Sequence, residues 1–322
     1  MDRNAGGRGN CVRKKDQPLI KRLNQGLDSF SRDEHSLPGV GEQAVRDVLV
    51  RQMVDSVRRV KFPGVISGQP HSERRKDPAD EIFDPIRAAI LHYREGNVDE
   101  AYWLVFLFVQ FGKHGKGGYL YARSVYGRFG EGGRWDWKST SADPAAFRAW
   151  LHANQERLKA LPTHFGNHRK RESLDAYSGK GTGATVGTYV SWVAPPRTHQ
   201  QVFEEAIELA AGDPKKAFDL LYESMAQVRR FGRMARFDYF SMVGKLGFAR
   251  IEPGSTYLEG ASGPVTGAKL LFGGSPTAKM SVAQLDQLLI RLDTHLNVGM
   301  QVLEDAVCNW QKSPGTFKSF RG

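Results

Sequence analysis

Apolar residues recur every three or four positions along much of the chain, which is the spacing of one face of an α-helix. From Gln43 to Val60 this spacing predicts an amphipathic helix whose polar face carries arginines. A further helix is predicted from Pro85, after a polar and proline-broken loop. Residues from Val98 to Phe111 are apolar on almost every side, so they predict a helix at the buried centre of the fold.

The same spacing continues toward the C-terminus. It predicts helices at about 144–159, 198–211, 214–228, 234–246 and 281–310. Asp143-Pro144 and Asp213-Pro214 are typical of a helix start, in which the aspartate caps the first turn and proline takes the first helical position. Strand signals are sparse, and no internal repeat has a fixed period. The predicted fold class is therefore mainly α.

Residues 1–35 are polar and basic, which predicts a flexible basic tail that adds little to the core. Residues 36–322 then form a single helical catalytic domain, which could divide into two lobes at 36–195 and 196–322. The most apolar stretch, Trp103 to Val109, is far shorter than the roughly 20 residues of a membrane span. No apolar segment follows the basic N-terminus as it does in a secretion signal, so a cytoplasmic protein without a membrane partner is expected.

The composition narrows the class of protein further. Lys and Arg number 46 and Asp and Glu number 35, which gives a formal net charge of +11 and points to an acidic partner. The hydrophobic fraction of 40% is enough for a sizeable core and excludes wholesale disorder. Cys11 and Cys308 are too few for a disulfide framework or a cysteine-based zinc site, which fits a reducing compartment.

The segment LPGVGEQA, residues 37–44, resembles the hairpin of helix-hairpin-helix DNA-binding proteins. In such a hairpin, glycines such as Gly39 and Gly41 let the backbone approach a phosphate, and amides of the next helix donate to it. Asp55 invites comparison with the catalytic aspartate of helix-hairpin-helix glycosylases. It lies in an uninterrupted helical pattern, however, without the glycine- or proline-broken linker of those enzymes.

Glycines, cations and aromatic residues alternate in residues 111–138, FGKHGKGGYLYARSVYGRFGEGGRWDWK. Cations can bind phosphates while aromatic rings stack on bases. This pattern is therefore typical of a surface that binds a nucleic-acid strand or a flipped base. The alternative is that the aromatic residues belong to the core.

Two more basic segments surround glycines. In HFGNHRKRESLDAYSGKGTG, the run HRKR supplies charge and the glycine-rich loop supplies backbone amides, which together predict an anion pocket. His164 and His168 have helical metal-ligand spacing, but Gly166 lies between them and no carboxylate stands beside them. In VRRFGRMARFD, Asp238 lies among arginines, where it could orient them, act as a weak general base or form a structural ion pair.

Together these segments resemble the α-glutamyl/putrescinyl thymine pyrophosphorylase family, also described as the amino-acid:DNA transferases of bacteriophage DNA hypermodification. The resemblance lies in LPGVG…VRQMVDSVRRV, DEAYWLVFLFVQFGKHGK, FGNHRKRESL, RRFGRMARFDYFSMVGKLG, GPVTGA and LEDAVCNWQK, and it is closest to clade three.

The resemblance implies a helical fold related to helix-hairpin-helix DNA glycosylases. It also implies displacement of pyrophosphate from 5-(pyrophosphoryloxymethyl)uracil in DNA by an amine such as an amino acid or a polyamine. The partners are then double-stranded DNA carrying the modified uracil and a small amine donor. Mg²⁺ could assist the leaving group, but no carboxylate cluster in the sequence requires a metal cofactor.

Site residues follow from the motifs and the resemblance together. The predicted catalytic residues are Asp238, Glu304, Arg230 and Arg233, with Asp238 or Glu304 receiving the amine proton or holding the donor. The predicted pyrophosphate-binding residues are Arg169, Lys170, His168 and Arg229. The predicted base-binding residues are Tyr126 and Trp135, which would stack on the base, and Asn167, which with His168 as the alternative would bond the uracil edge. The predicted DNA-binding residues are Gly39, Gly41, Arg58, Arg59, Lys113, Lys116, Arg123, Arg128, Gly263 and Gly267.

Two other functions stay open at this point. A helix-hairpin-helix base-excision glycosylase would share base flipping, basic charge and helical hairpins. A non-enzymatic DNA-binding protein would need only the positive charge, but it does not explain why cations concentrate beside glycine-rich joints.

Overall fold

The computed structural model describes residues 13–319, which form fifteen α-helices, six short 3-10 helices and no β-strand within that range. The prediction of a mainly α protein is confirmed. In chain order the α-helices are α1 (Gln17–Asp33), α2 (Gln43–Ser67), α3 (Pro85–Arg94), α4 (Val98–Phe111), α5 (Leu120–Tyr126), α6 (Trp137–Ala142), α7 (Pro144–Ala153), α8 (Gln155–Lys159), α9 (Thr182–Val193), α10 (His199–Leu209), α11 (Pro214–Ser224), α12 (Arg233–Leu246), α13 (Ser262–Gly273), α14 (Val282–Leu296) and α15 (Met300–Trp310).

The described chain forms two compact units. The first contains residues 13–59 and 262–319, and the second contains residues 60–261. These units differ from the predicted lobes at 36–195 and 196–322, because the two ends of the chain pack together and the middle of the chain forms a unit by itself. Helix α2 contributes its residues up to Arg59 to the first unit and the remainder to the second.

In the first unit, α1 packs against α14 and buries Leu23, Leu27 and Phe30 completely. These residues belong to the predicted basic tail at 1–35, which is expected to add little to the core. The structure differs because the three side chains share one helical face, while the basic residues that dominate the composition occupy the exposed faces. Residues 1–12 of the predicted tail lie outside the described part of the chain.

Helix starts follow the predicted aspartate-proline pattern. The side chain of Asp143 accepts a hydrogen bond from the amide of Ala146 at the start of α7. Asp213 accepts from the amides of Lys215 and Lys216 at the start of α11. Each aspartate therefore satisfies amides that the first helical turn leaves without an intrahelical partner.

The apolar spacing does not predict where some of the helices end. The single helix expected at 281–310 is divided into α14 and α15, because Asn297 and Gly299 adopt left-handed backbone angles with φ of 49° and 91°. The helix expected at 144–159 is likewise divided at Asn154 into α7 and α8. The short apolar run after the GKGTG loop is the twelve-residue helix α9.

Helix α4 is the centre of the second unit, as its apolar sequence predicts. It packs against α3, α5, α6, α10 and α12. Trp103, Leu104 and Phe106 are completely buried in this core. Within residues 13–319, none of the helices has the combination of length and apolarity that crossing a membrane requires.

Candidate functional site

Four segments of the second unit meet at the C-terminal end of α4. Gln110, which is completely buried in the last turn of α4, accepts a hydrogen bond from Nη2 of Arg169 at 2.8 Å. Its Nε2 donates to Oγ1 of Thr182, the first residue of α9, at 3.3 Å. Arg169 reaches the fourth segment by donating from Nη1 to the carbonyl oxygen of Arg230 at 2.9 Å. We call residues 110–113, 166–172, 179–183 and 229–238 the junction.

Two glycines allow the backbones of the junction to come close together. The amide of Gly166 donates to the carbonyl oxygen of Phe111 at 2.8 Å. A Cβ atom on Gly166 would lie 2.7 Å from the amide nitrogen of Lys113, and a Cβ atom on Gly112 would lie 2.9 Å from Cα of Gly166. No larger residue fits either position without moving backbone, so FGNHRK is held against the end of α4 by close packing.

Arg169 is the internal cross-link of the junction. Its side chain is only 6% exposed, and its guanidinium lies 5.2 Å from the ring centre of Phe231. Burial lowers the pKa of Arg169, and the carboxylate of Glu172, at 3.7 Å, offsets part of that effect. The predicted contact of Arg169 with pyrophosphate stays a prediction, since the observed guanidinium contacts are those of a residue that positions its neighbours.

Arg230 and Arg233 also donate to protein groups. Arg230 donates to both oxygens of Glu172 at 3.0 Å, and this ion pair raises the pKa of Arg230. Its backbone has a φ of 62°, a left-handed conformation that is uncommon for a residue with a side chain. Arg233 donates to the carbonyl oxygens of Thr256 and Tyr257 at 2.6 and 2.7 Å. The catalytic roles predicted for these two arginines stay predictions.

His168 and Asp238 face each other at the surface of the junction. Nδ1 of His168 lies 2.9 Å from Oδ2 of Asp238, and the two side chains are 57% and 29% exposed. A carboxylate that accepts a hydrogen bond from Nδ1–H fixes the imidazole ring and makes Nε2 the proton-accepting atom. The pair therefore has the components of a general base.

Three exposed cations belong to the same segments. Lys170 and Arg171 follow the buried Arg169, and Arg229 precedes the left-handed Arg230. None of the three side chains forms an ion pair with any residue of the described chain. Nη1 of Arg229 lies 3.1 Å from the position that a Cβ atom on Gly179 would occupy. These cations are available to an anionic ligand, and anion binding by the HRKR run stays a prediction.

The glycine-rich loop before α9 corrects one expectation. Its amides were expected to face an anion, but those of Gly181, Thr182 and Gly183 donate to the carbonyl oxygens of Ser178, Ser173 and Asp175. The glycines are needed because Cβ atoms at 181 and 183 would lie 2.2 and 2.1 Å from carbonyl oxygens. The loop is thus a close-packed support for α9.

The predicted base-stacking residues lie in the core of the second unit. Tyr126 is 1% exposed and Trp135 is 5% exposed. The hydroxyl of Tyr126 donates to Glu100 at 2.6 Å, and the Trp135 ring packs edge-on against Phe147. A base could reach these rings only if the packing opened, so stacking there stays a prediction. Asn167, in contrast, is exposed at the start of the 3-10 helix Asn167–Arg169.

Glu100 is an ionisable group buried in this aromatic region. It accepts the hydroxyl of Tyr126 and, at 2.7 Å, the amide of Trp137. Loss of hydration raises the pKa of Glu100 to about 7, against the smaller opposing effect of these hydrogen bonds.

The predicted DNA-binding residues fall into both units. In the second unit Lys113 and Lys116 are exposed, while Arg123 and Arg128 are partly buried. In the first unit Arg58 pairs with Asp16, and Arg59 pairs with Asp55 and Asp305. DNA contact by these residues stays a prediction.

The remaining predicted residues also lie in the first unit. Cβ atoms on Gly39 and Gly267 would lie 2.0 and 2.2 Å from carbonyl oxygens, so these glycines serve close packing of the unit. Gly263 lies against Sγ of Cys308, and Gly41 is exposed. Glu304 is on α15 and therefore belongs to a different unit from Asp238. Among the described residues, no group of three or more histidine, cysteine or carboxylate side chains is arranged to hold a metal ion.

Two residues that build the junction are not among the predicted site residues. Gln110 is the one amide in the apolar run YWLVFLFVQF, and a lone polar residue in a buried helix is the signal that could have identified it. Glu172 follows HRKR and binds both Arg230 and Arg169, but nothing in its spacing indicates those partners.

Comparison with known proteins gives one match. Residues 44–322 match the family described as alpha-glutamyl/putrescinyl thymine pyrophosphorylase clade 3. No curated protein and no solved structure matches the chain.

Proposed function

We propose that this chain, which belongs to the alpha-glutamyl/putrescinyl thymine pyrophosphorylase family, clade 3, catalyses a DNA-modifying transfer reaction. The chain displaces pyrophosphate from 5-(pyrophosphoryloxymethyl)uracil in DNA with an amine, which is an amino acid or a polyamine. The observation that carries this proposal is the His168–Asp238 pair, which lies in the same junction as three cations that form no ion pair within residues 13–319.

The reaction forms one bond and breaks one. The nitrogen of the amine bonds to the exocyclic methylene carbon of the base, and the bond from that carbon to the pyrophosphate oxygen breaks. The bonding electron pair leaves with pyrophosphate, and the amine loses a proton. Nε2 of His168 accepts this proton, while Asp238 orients the ring and stabilises the imidazolium that forms.

The leaving pyrophosphate gains negative charge as the bond breaks. Lys170, Arg171 and Arg229 supply cations that no carboxylate of the described chain neutralises. Cations beside the leaving group stabilise the more highly charged departing pyrophosphate more than they stabilise the pyrophosphoryl ester, so they lower the barrier to departure. Guanidinium groups also match the paired oxygens of a phosphate.

The DNA partner is supported by charge. The net charge of +11 favours a polyanion, and extrusion of the modified base from the duplex brings its pyrophosphoryloxymethyl group to the protein surface.

Mass spectrometry of digested nucleosides tests the proposal. DNA containing 5-hydroxymethyluracil is pyrophosphorylated and then incubated with the protein and a pool of amino acids and polyamines, with and without Mg²⁺. We expect an aminated thymidine, whose mass identifies the donor. Abasic sites would favour a glycosylase, and intact substrate with salt-sensitive binding would favour a DNA-binding protein. Either result would contradict the transfer reaction.

A further inference from the structure

Tyr177 is an aromatic side chain exposed beside the junction. It is 57% exposed and lies in the loop that leads from residue 173 to α9. The rings of Tyr126 and Trp135, which are predicted to stack on a base, are buried, whereas the ring of Tyr177 is exposed to solvent. Exposed aromatic rings lose apolar hydration when they stack, so such a ring is suited to a planar ligand.

The ring of Tyr177 is held in place by two neighbouring side chains. The guanidinium of Arg148 lies over the ring, 5.1 Å from its centre, and the ring centre of His152 is also 5.1 Å away. Nε of Arg148 donates to the carbonyl oxygen of Ala176 at 3.0 Å, which fixes the guanidinium beside the loop. A ring that is oriented before binding loses little conformational freedom when a ligand arrives.

The backbone that carries the ring is ordered as well. Oδ1 of Asp175 accepts the amides of Tyr177 and Ser178 at 2.8 and 2.6 Å. These hydrogen bonds lower the pKa of Asp175, so its carboxylate remains an acceptor across the neutral range. The loop then passes Gly179, beside Arg229, and reaches Thr182, which is bonded to Gln110.

The surroundings of the ring are cationic. Lys180 is exposed three residues beyond Tyr177, and Arg229 reaches the same loop at Gly179. An aromatic ring among cations matches a nucleic-acid strand, in which a planar base is attached to a charged phosphate.

From this arrangement we infer that Tyr177 stacks on a nucleobase of the bound DNA, with Lys180 and Arg229 contacting the adjoining phosphates. The inference rests on the proposed function only for the identity of DNA as the partner. It does not require the transfer reaction.

The test measures binding of a fluorescently labelled single-stranded oligothymidine by anisotropy over a series of NaCl concentrations. The unmodified strand presents accessible bases, so the test needs neither pyrophosphate nor amine. Stacking contributes to affinity at every salt concentration, whereas phosphate contacts determine how steeply affinity falls with salt. Tyr177→Ala should raise Kd about tenfold without changing that slope, and Tyr177→Phe should stay within about twofold of the unaltered protein.

Two controls separate stacking from other effects. Leu209→Ala removes another exposed apolar side chain, 79% exposed at the end of α10, and should leave Kd unchanged. Arg229→Gln should reduce the salt slope instead of shifting Kd equally at all salt concentrations.

The outcomes distinguish this inference from the proposed function. Unchanged binding by Tyr177→Ala, or an equal loss in Tyr177→Phe, overturns stacking while leaving DNA as the partner. Absence of oligothymidine binding by the unaltered protein overturns stacking, and the aminated-product assay then decides the proposed function separately. If the variants change binding as expected but no aminated product forms, only the transfer reaction is overturned.

Discussion

Nδ1 of His168 lies 2.9 Å from Oδ2 of Asp238, although 70 positions separate the two residues in the chain. The contact depends on two separate supports. Arg169 anchors the segment that carries His168, and α12 carries Asp238 next to the buried Tyr239. A pair at the surface is thus held by buried neighbours on both sides, which fixes the geometry of the two side chains in solvent.

The carboxylate of this pair should be required for turnover. Asp238→Asn replaces an acceptor by an amide that cannot stabilise the imidazolium, so product formation should fall by a factor of about 100 or more. Oligonucleotide affinity should not change. Quantitative nucleoside mass spectrometry compares the variant with Glu208→Gln, which removes an exposed carboxylate on α10. Normal product formation by Asp238→Asn would rule out its role in proton acceptance.

Substitution of two adjacent basic residues should affect the free energy of unfolding to different extents. Arg169→Lys keeps the charge but cannot reach Gln110 and the carbonyl oxygen of Arg230 together, so the free energy of unfolding should fall by about 3 kcal/mol. Lys170→Gln should change it by less than about 0.5 kcal/mol, because Lys170 is exposed. Urea denaturation measures both. Lys170→Gln should still slow the transfer, and equal stability of the two variants would contradict the internal role of Arg169.

The close approach at Gly166 should not tolerate a methyl group. Gly166→Ala places Cβ 2.7 Å from a backbone nitrogen and should lower the free energy of unfolding by about 1–3 kcal/mol. Gly187→Ala is the matched control, because Gly187 lies within α9 with open space around its Cα. It should stabilise the protein by about 0.5–1 kcal/mol through helix propensity. Thermal unfolding should therefore shift in opposite directions for the two variants.

Glu100 should make stability depend on pH. Its folded-state pKa of about 7 lies above the ordinary value of 4.5, so between these values the folded protein binds more protons than the unfolded chain. The free energy of unfolding consequently decreases by about 1–3 kcal/mol in total as pH rises through this range. Above about pH 7 it levels off. Glu100→Gln should lose that part of the dependence. Denaturation at pH 5 and pH 8 compares the two proteins, and parallel pH profiles would argue against the raised pKa.

Much of the fold follows from local patterns. The bounds of α4 and the aspartate caps of α7 and α11 were predictable, because apolar spacing and capping depend on neighbouring residues. Helix α1 was missed because composition outweighed the spacing of its three buried side chains. The break between α14 and α15 was missed because it depends on left-handed angles that Asn297 and Gly299 permit but do not require.

The candidate site was predictable in its segments but not in its contacts. The runs FGNHRK and RRFGR were identified, and they do meet in the junction. Sequence could not say that Arg169 points inward while Lys170 and Arg171 point outward, since adjacent cations have the same composition and differ only in what the fold places against them. Tyr177 was not predicted to stack on a base, because that role was assigned to residues in segments with more aromatic side chains. Those side chains form the core.

The contacts of Gln110 also determine when the site can exist. Its partners Arg169 and Thr182 lie 59 and 72 positions further along the chain, and Arg169 needs a carbonyl oxygen another 61 positions on. During synthesis α4 is therefore complete long before its glutamine can be satisfied, and contacts between such distant segments form late in folding. The His168–Asp238 pair lies in the same junction, so we expect recovery of the proposed transfer activity after refolding to report that the whole second unit has reached its native state.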